Sequence, residues 1–158
     1  MSKQSEGGVR HIAANRKAQH DYFIEDRYEA GIALTGTEIK SVRAARVNLR
    51  DGFVQIRKGE AWLVNVHISP YDFGNRENHE PRRERKLLLH RQEIRKLQAK
   101  VSERGWTIVP LSMYLKDGRA KLEIALVRGK RLYDKRDAVA ERDADRDLAR
   151  ALREYERE

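Results

Sequence analysis

The sequence predicts a mainly β chain: a small OB-like barrel of about six short strands, interrupted by two helices and followed by a charged tail. Three observations carry this reading. Apolar and polar residues alternate at period two in several short runs, the pattern of half-buried strands. Lys116-Asp117-Gly118-Arg119 joins the two clearest runs as a hairpin turn. Before the tail, only two stretches place apolar residues at helical spacing, too few to cover a parallel sheet.

Along the chain, Tyr22-Phe23-Ile24 and Ala30-Gly31-Ile32-Ala33-Leu34 read as the first strands. Thr35 stands three residues before Glu38, the spacing of a capping box, and predicts a helix through Ile39 and Val42 to about Ala45. Phe53 to Arg57 reads as a strand, joined through Lys58-Gly59-Glu60 to the next. There Trp62, Val64, Val66 and Ile68 alternate with Leu63, Asn65 and His67. A second helix is expected near Gln92 to Glu103, with Ile94, Leu97 and Val101 inward and Gly105 as its stop. Thr107 to Leu115 and Ala120 to Val127 complete the hairpin, with Leu122, Ile124 and Leu126 on one face opposite Lys121 and Glu123.

Charge divides the chain. Of 158 residues, 34 are Lys or Arg and 25 are Asp or Glu, a formal net charge of +9. Residues 128–158 hold 10 basic and 9 acidic side chains, so the first 127 residues carry +8 of that excess. The expected division is a flexible N-terminus at 1–10, a barrel at 11–127 and a tail at 128–158. The tail has too few bulky apolar residues to offset its ordering entropy and is expected to be disordered when free. Leu148, Leu152 and Tyr155 give it a latent helical face beyond about Ala138.

Composition also limits the chemistry. With no cysteine, disulfides, thiolate metal sites and cysteine nucleophiles are excluded. The five histidines show no metal-ligand spacing, and no P-loop, G-x-G-x-x-G or G-x-S-x-G is present. An enzyme is therefore not expected, nor a bound cofactor or metal. No apolar run approaches the length of a membrane span, and the first ten residues hold no apolar stretch of a secretory signal. A cytoplasmic protein without membrane partners is the expectation.

Basic clusters point instead to nucleic acid. Arg16-Lys17 follows Asn15; Lys40, Arg43 and Arg46 recur at spacing three, with Arg50 just beyond; Pro81-Arg82-Arg83-Glu84-Arg85-Lys86 forms the third cluster. Lacking a recognition helix, finger or zipper, the chain suits folded RNA better than duplex DNA. Tyr22, Tyr28, Tyr71, Tyr114 and Tyr133 are candidates for base stacking, against the ordinary role of core or rim aromatics.

Seven pieces stand out in order: Asn15-Arg16-Lys17-Ala18, His20-Asp21-Tyr22-Phe23-Ile24, Tyr28 to Leu34, Gly36 to Arg43, Asn78 to Arg83, Arg85 to His90 and Gly129 to Arg136. Together they resemble the SmpB family, the SsrA-binding proteins of bacterial trans-translation. The resemblance implies a six-stranded OB-like barrel with about three helices and a tail. It implies binding to the tRNA-like domain of transfer-messenger RNA (tmRNA) and delivery to ribosomes stalled without a stop codon. Elongation factor Tu would take part indirectly, through the RNA. By motif match, RNA contact is expected at Asn15, Glu29, Leu88 and His90, with Arg16, Lys17, Lys40, Arg43, Arg82, Arg83 and Lys121 around them. Leu88 has an equal claim as plain core in the Leu87–Leu89 run. The tail would enter the empty messenger channel of the small subunit, near the decoding region, through Tyr133, Asp134, Lys135 and Arg136. Tyr133 stands where many members carry histidine; it keeps a stacking ring but cannot become cationic at neutral pH. The competing reading is a ribosome-associated barrel that binds ribosomal RNA directly.

Overall fold

The computed structural model describes residues 8–71 and 78–129. In chain order these form β1 (Val9–Ala14), α1 (Arg16–Asp21), β2 (Tyr22–Ile32), α2 (Gly36–Arg43), β3 (Val47–Asn48), β4 (Phe53–Arg57) and β5 (Glu60–Val64). Then follow β6 (His67–Ile68), β7 (Arg85–Leu88), α3 (Arg91–Val101), β8 (Trp106–Lys116) and β9 (Arg119–Gly129). Seven strands make one antiparallel sheet in the order β1-β8-β9-β2-β7-β5-β4, and β3 pairs with β6 apart from it. Edge strand β4 packs against β8, so the sheet curls around its core. The mainly β, OB-like expectation holds, with nine strands among the described residues where about six were expected.

Two expected strands, Tyr22–Ile24 and Ala30–Leu34, are one. β2 runs unbroken through Glu25 to Glu29 because it pairs with β9 from Tyr22 to Gly31, absorbing one irregularity between Ile24 and Asp26. At its far end β2 meets β7, with Gly31 opposite Leu88 and Ile32 opposite Leu87. The long β8–β9 hairpin matches the sequence reading closely, and Asp117 and Gly118 turn it with positive φ.

The expected alternation from Trp62 to Ile68 breaks at Asn65. Ala61 and Leu63 are buried, whereas Trp62 and Val64 are only partly so. Asn65 takes φ 64°, ending β5, and beyond it Val66 and Ile68 face inward. One left-handed residue thus shifts the buried phase by one position.

Capping sets the helices. The Thr35 hydroxyl accepts from the Glu38 N–H, and the Glu38 carboxylate accepts from the Thr35 N–H, the reciprocal pair the spacing implied. α2 ends at Arg43, before the expected Ala45, and Ala45 adopts φ 61° as the chain leaves the helix. Arg46 therefore lies beyond the helix rather than on its basic stripe. α3 buries Leu97 fully, with Val101 packed against the same core. The short α1 has no periodicity to betray it; Asn15 caps it, accepting from the Ala18 N–H.

One core fills the curled sheet, built on Leu63, Leu87, Ile108, Met113, Leu122 and Ile124. A smaller cluster of Ala18, Val109, Leu111, Ala125 and Val127 lies under α1 on the other face. Among the described residues, no helix is long and apolar enough to cross a membrane.

Candidate nucleic-acid interface

Glu29, Leu88, His90 and Lys121, scattered in sequence, meet along one groove of about 650 Å³. Sheet register brings them there. Gly31 on β2 lies opposite Leu88 on one side and opposite Lys121 on the other. Glu29, two residues before Gly31 on the same strand, projects to the same face. His90 is the exposed N-cap residue of α3, its N–H donating to the Glu93 carboxylate at 3.1 Å.

Leu88 is not core. Its neighbour Leu87 is 1% exposed, whereas Leu88 is 56% exposed. In a strand covered on one face by core, successive side chains take opposite sides, and Leu88 takes the outer one. An apolar side chain this open, among polar groups in a concave site, is a natural surface for an unstacked base.

The Tyr114 hydroxyl donates to Oε2 of Glu29 at 2.5 Å, and Lys116 Nζ lies 3.6 Å from the same oxygen. The Tyr114 hydrogen bond first, then the charges of Lys116 and Lys121, hold the Glu29 carboxyl below its ordinary range. Burial and the adjacent carboxylate push the Tyr114 hydroxyl up, so it remains a donor. Both partners meet Oε2; Oε1 has none among the described residues. A fixed carboxylate acceptor is suited to the amino edge of a base and unsuited to phosphate. Tyr114 entered the sequence reading only as a stacking candidate. Its pairing with Glu29 spans 85 residues and is visible only once the register of β2, β9 and β8 is known.

Of the other tyrosines, Tyr28 packs against the main core, Tyr22 packs against the cluster under α1, and Tyr71 lies beneath Lys40 with Nζ 5.5 Å from its ring centre. Tyr133, with Asp134, Lys135 and Arg136, lies outside the described residues. β9 carries the sheet through Arg128 and Gly129, with the Arg128 guanidinium 5.0 Å from the Trp106 ring centre.

The basic clusters divide by burial. Arg16, Lys17, Lys40 and Arg43 are exposed, as are Arg46 and Arg50. Asn15 is 2% exposed and its amide is fully engaged: it donates to Leu49 O at 3.2 Å and Pro110 O at 2.9 Å while capping α1. It fixes the start of α1, from which Arg16 and Lys17 project. Arg82 is exposed, with Nη1 2.9 Å from Asn65 Oδ1.

The third cluster is the main surprise. Arg85 is 0% exposed, as is Glu38, and its Nε donates to Glu38 Oε2 at 2.8 Å. Its two terminal nitrogens donate to Val66 O at 2.8 Å and Pro81 O at 3.0 Å. Arg83 closes on the same carboxylate, at 2.6 Å to Oε1 and 3.1 Å to Oε2. Burial works to raise the Glu38 pKa, but the hydrogen bonds from Arg83, the Thr35 N–H and Arg85 outweigh it and hold it at about 2. Arg85, which composition assigned to the surface, is therefore an internal ionic brace tying α2 to β7, and the partly exposed Arg83 closes on it from outside. The signal was present: Arg85 stands two residues before Leu87 and shares its face.

The family model of the SmpB protein matches residues 12–154. The SsrA-binding protein of Thermobifida fusca is 63% identical over 152 residues, covering 96% of this chain and 95% of its own length. That of Acidothermus cellulolyticus is 63% identical over 147 residues, covering 93% and 92%. A solved structure described as "tmRNA-SmpB: a journey to the center of the bacterial ribosome" contains a chain similar to this one, with a TM-score of 0.69 and 46% identity. The similarity covers 88% of this chain and 98% of that one.

Proposed function

The chain belongs to the SmpB family, and we propose that it is the RNA-binding factor that engages the tRNA-like domain of tmRNA and brings it to stalled ribosomes. The observation that carries this reading is the meeting of Glu29, Leu88, His90 and Lys121 in one groove. A carboxylate acceptor, an open leucine, an imidazole and an ammonium together offer base edges, base faces and phosphates each a partner. The exposed Arg16, Lys17, Lys40, Arg43 and Arg82 supply the sequence-independent attraction. Arg83, tied to Glu38, supports the surface rather than meeting phosphate first.

The protein performs no reaction of its own in this scheme. Aminoacylation belongs to a synthetase, delivery to elongation factor Tu acting through the RNA, and peptide transfer to the ribosome. It works in the cytoplasm. Residues 11–127 act as the binding body, and residues 128–158 act after binding, entering the messenger channel through Tyr133, Asp134, Lys135 and Arg136. The tail's ten basic residues suit an RNA-walled tunnel, and its nine acids limit attachment elsewhere until the body is bound. Family membership favours tmRNA over direct binding to ribosomal RNA.

The test is to sequence RNA that co-purifies with the protein from cells, then titrate it with and without ribosomes. Enrichment of tmRNA and a tight ribosome-free complex are expected. Enrichment of ribosomal RNA alone would overturn the reading.

A further inference from the structure

A second concavity of about 410 Å³ adjoins the groove, the two sharing Leu88, Gly31 and Lys121. The row Leu88–Gly31–Lys121 crosses β7, β2 and β9, and directly opposed residues in an antiparallel ladder share a face. An apolar post and a cationic post thus flank a glycine with no side chain between them. The gap is closely bounded: a Cβ at Gly31 would come within 3.3 Å of Leu88 Cβ. Beyond the row, Leu34 and Ile39 line the second concavity, together with Arg119, the first residue of β9.

The two sides differ in charge. The groove mixes Glu29, Glu60 and Glu93 with Lys86, Arg91 and Lys121, whereas no described residue lining the second concavity is acidic, and Arg119 and Lys121 are both there. In the second concavity no acid opposes the attraction of phosphate, and an apolar floor suits a base or ribose. The volume falls within the roughly 300–1,000 Å³ typical of small-ligand sites.

We propose that this second concavity is a subsite for one unpaired, unstacked nucleotide. Its base and ribose rest on Leu34, Ile39 and Leu88, and its phosphate on Arg119 and Lys121. Leu88 acts as a wedge, holding this nucleotide apart from a neighbour whose base edge meets Glu29 in the groove. The inference deepens the proposed recognition of a tRNA-like RNA and rests on that reading.

Gly36 offers a direct test, since it lines the concavity and a Cβ there meets nothing within 4 Å. Gly36→Phe fills the space from the first turn of α2 without displacing the core. Wild type and Gly36→Phe are titrated with the isolated tRNA-like RNA and with an unrelated duplex of equal length, alongside thermal melts. The tRNA-like RNA carries 2-aminopurine at each unpaired position in turn. For Gly36→Phe, an unchanged melt, unchanged duplex binding and about tenfold weaker binding of the tRNA-like RNA are expected. One 2-aminopurine position should brighten on binding wild type and not on binding the variant. If Gly36→Phe keeps full affinity, or no position brightens, the subsite is overturned and the recognition reading stands. If wild type itself shows no preference for the tRNA-like RNA, both fall together.

Discussion

Replacing Glu38 by glutamine removes one negative charge while leaving Arg85, 0% exposed, in place beside it. Two lines give the cost. Removing one partner of a buried ion pair typically destabilises by about 3–5 kcal/mol, because the remaining charge stays desolvated. Independently, a carboxyl held at about 2 instead of the ordinary 4.5 corresponds to about 3 kcal/mol in favour of the folded state. The two agree. At about 2–4 °C per kcal/mol for a chain of this size, Glu38→Gln should lower Tm by roughly 6–20 °C. The pH dependence follows from a depressed folded-state pKa: the contribution is complete above about 4.5 and is lost as pH falls towards about 2. Urea titrations of wild type and variant at several pH values measure both effects. The gap between them should be widest near neutrality and narrow across that acid window. A variant within about 1 kcal/mol of wild type at pH 7, or a gap independent of pH, would refute the internal brace.

Three further outcomes follow from the surface and the tail. With +8 on residues 1–127, neutralising about five to eight phosphates should give a slope of log K against log[salt] near −4 to −7; Arg82→Ala should flatten it by about one unit, and a wild-type slope shallower than about −2 would contradict the basic-surface argument. Leu88→Ala should change the thermal melt by less than about 1 kcal/mol, against the 2–5 typical of a buried leucine, while weakening the tRNA-like RNA; unfolding would return Leu88 to the core. Leu148→Pro, chosen from the helical spacing of Leu148, Leu152 and Tyr155 in sequence, should leave RNA affinity intact and abolish rescue of ribosomes on truncated messages. Full rescue by that variant would exclude a helical tail in the channel.

Local patterns were the most legible part of the fold. The β8–β9 hairpin and the Thr35–Glu38 box depend on residues close in sequence, and both appear where their patterns put them. Features set by distant partners were not legible. Nothing near Asn65 announces that its left-handed backbone shifts the inward face of the chain. β1, with burial that follows no clean alternation, gains its strand from pairing with β8. The basic run at 82–86 looked uniform because charge composition carries no direction; strand parity separates inward Arg85 from outward Lys86. The groove residues came from motif resemblance, and their convergence became physical only through the Leu88–Gly31–Lys121 row. Tyr114 fixes Glu29 across 85 residues of sequence, a pairing set by the sheet and not by any local pattern.

Glu29 provides the most direct test of recognition, since it is exposed and an acid contributes nothing to phosphate attraction. The measurement is the ratio of affinities for the isolated tRNA-like RNA and a duplex of equal length, taken across a salt series for wild type and Glu29→Ala. Glu29→Ala should lose about tenfold in that ratio, with unchanged duplex affinity and an unchanged salt slope. An undiminished ratio, or a loss shared equally by both RNAs, would contradict recognition through Glu29.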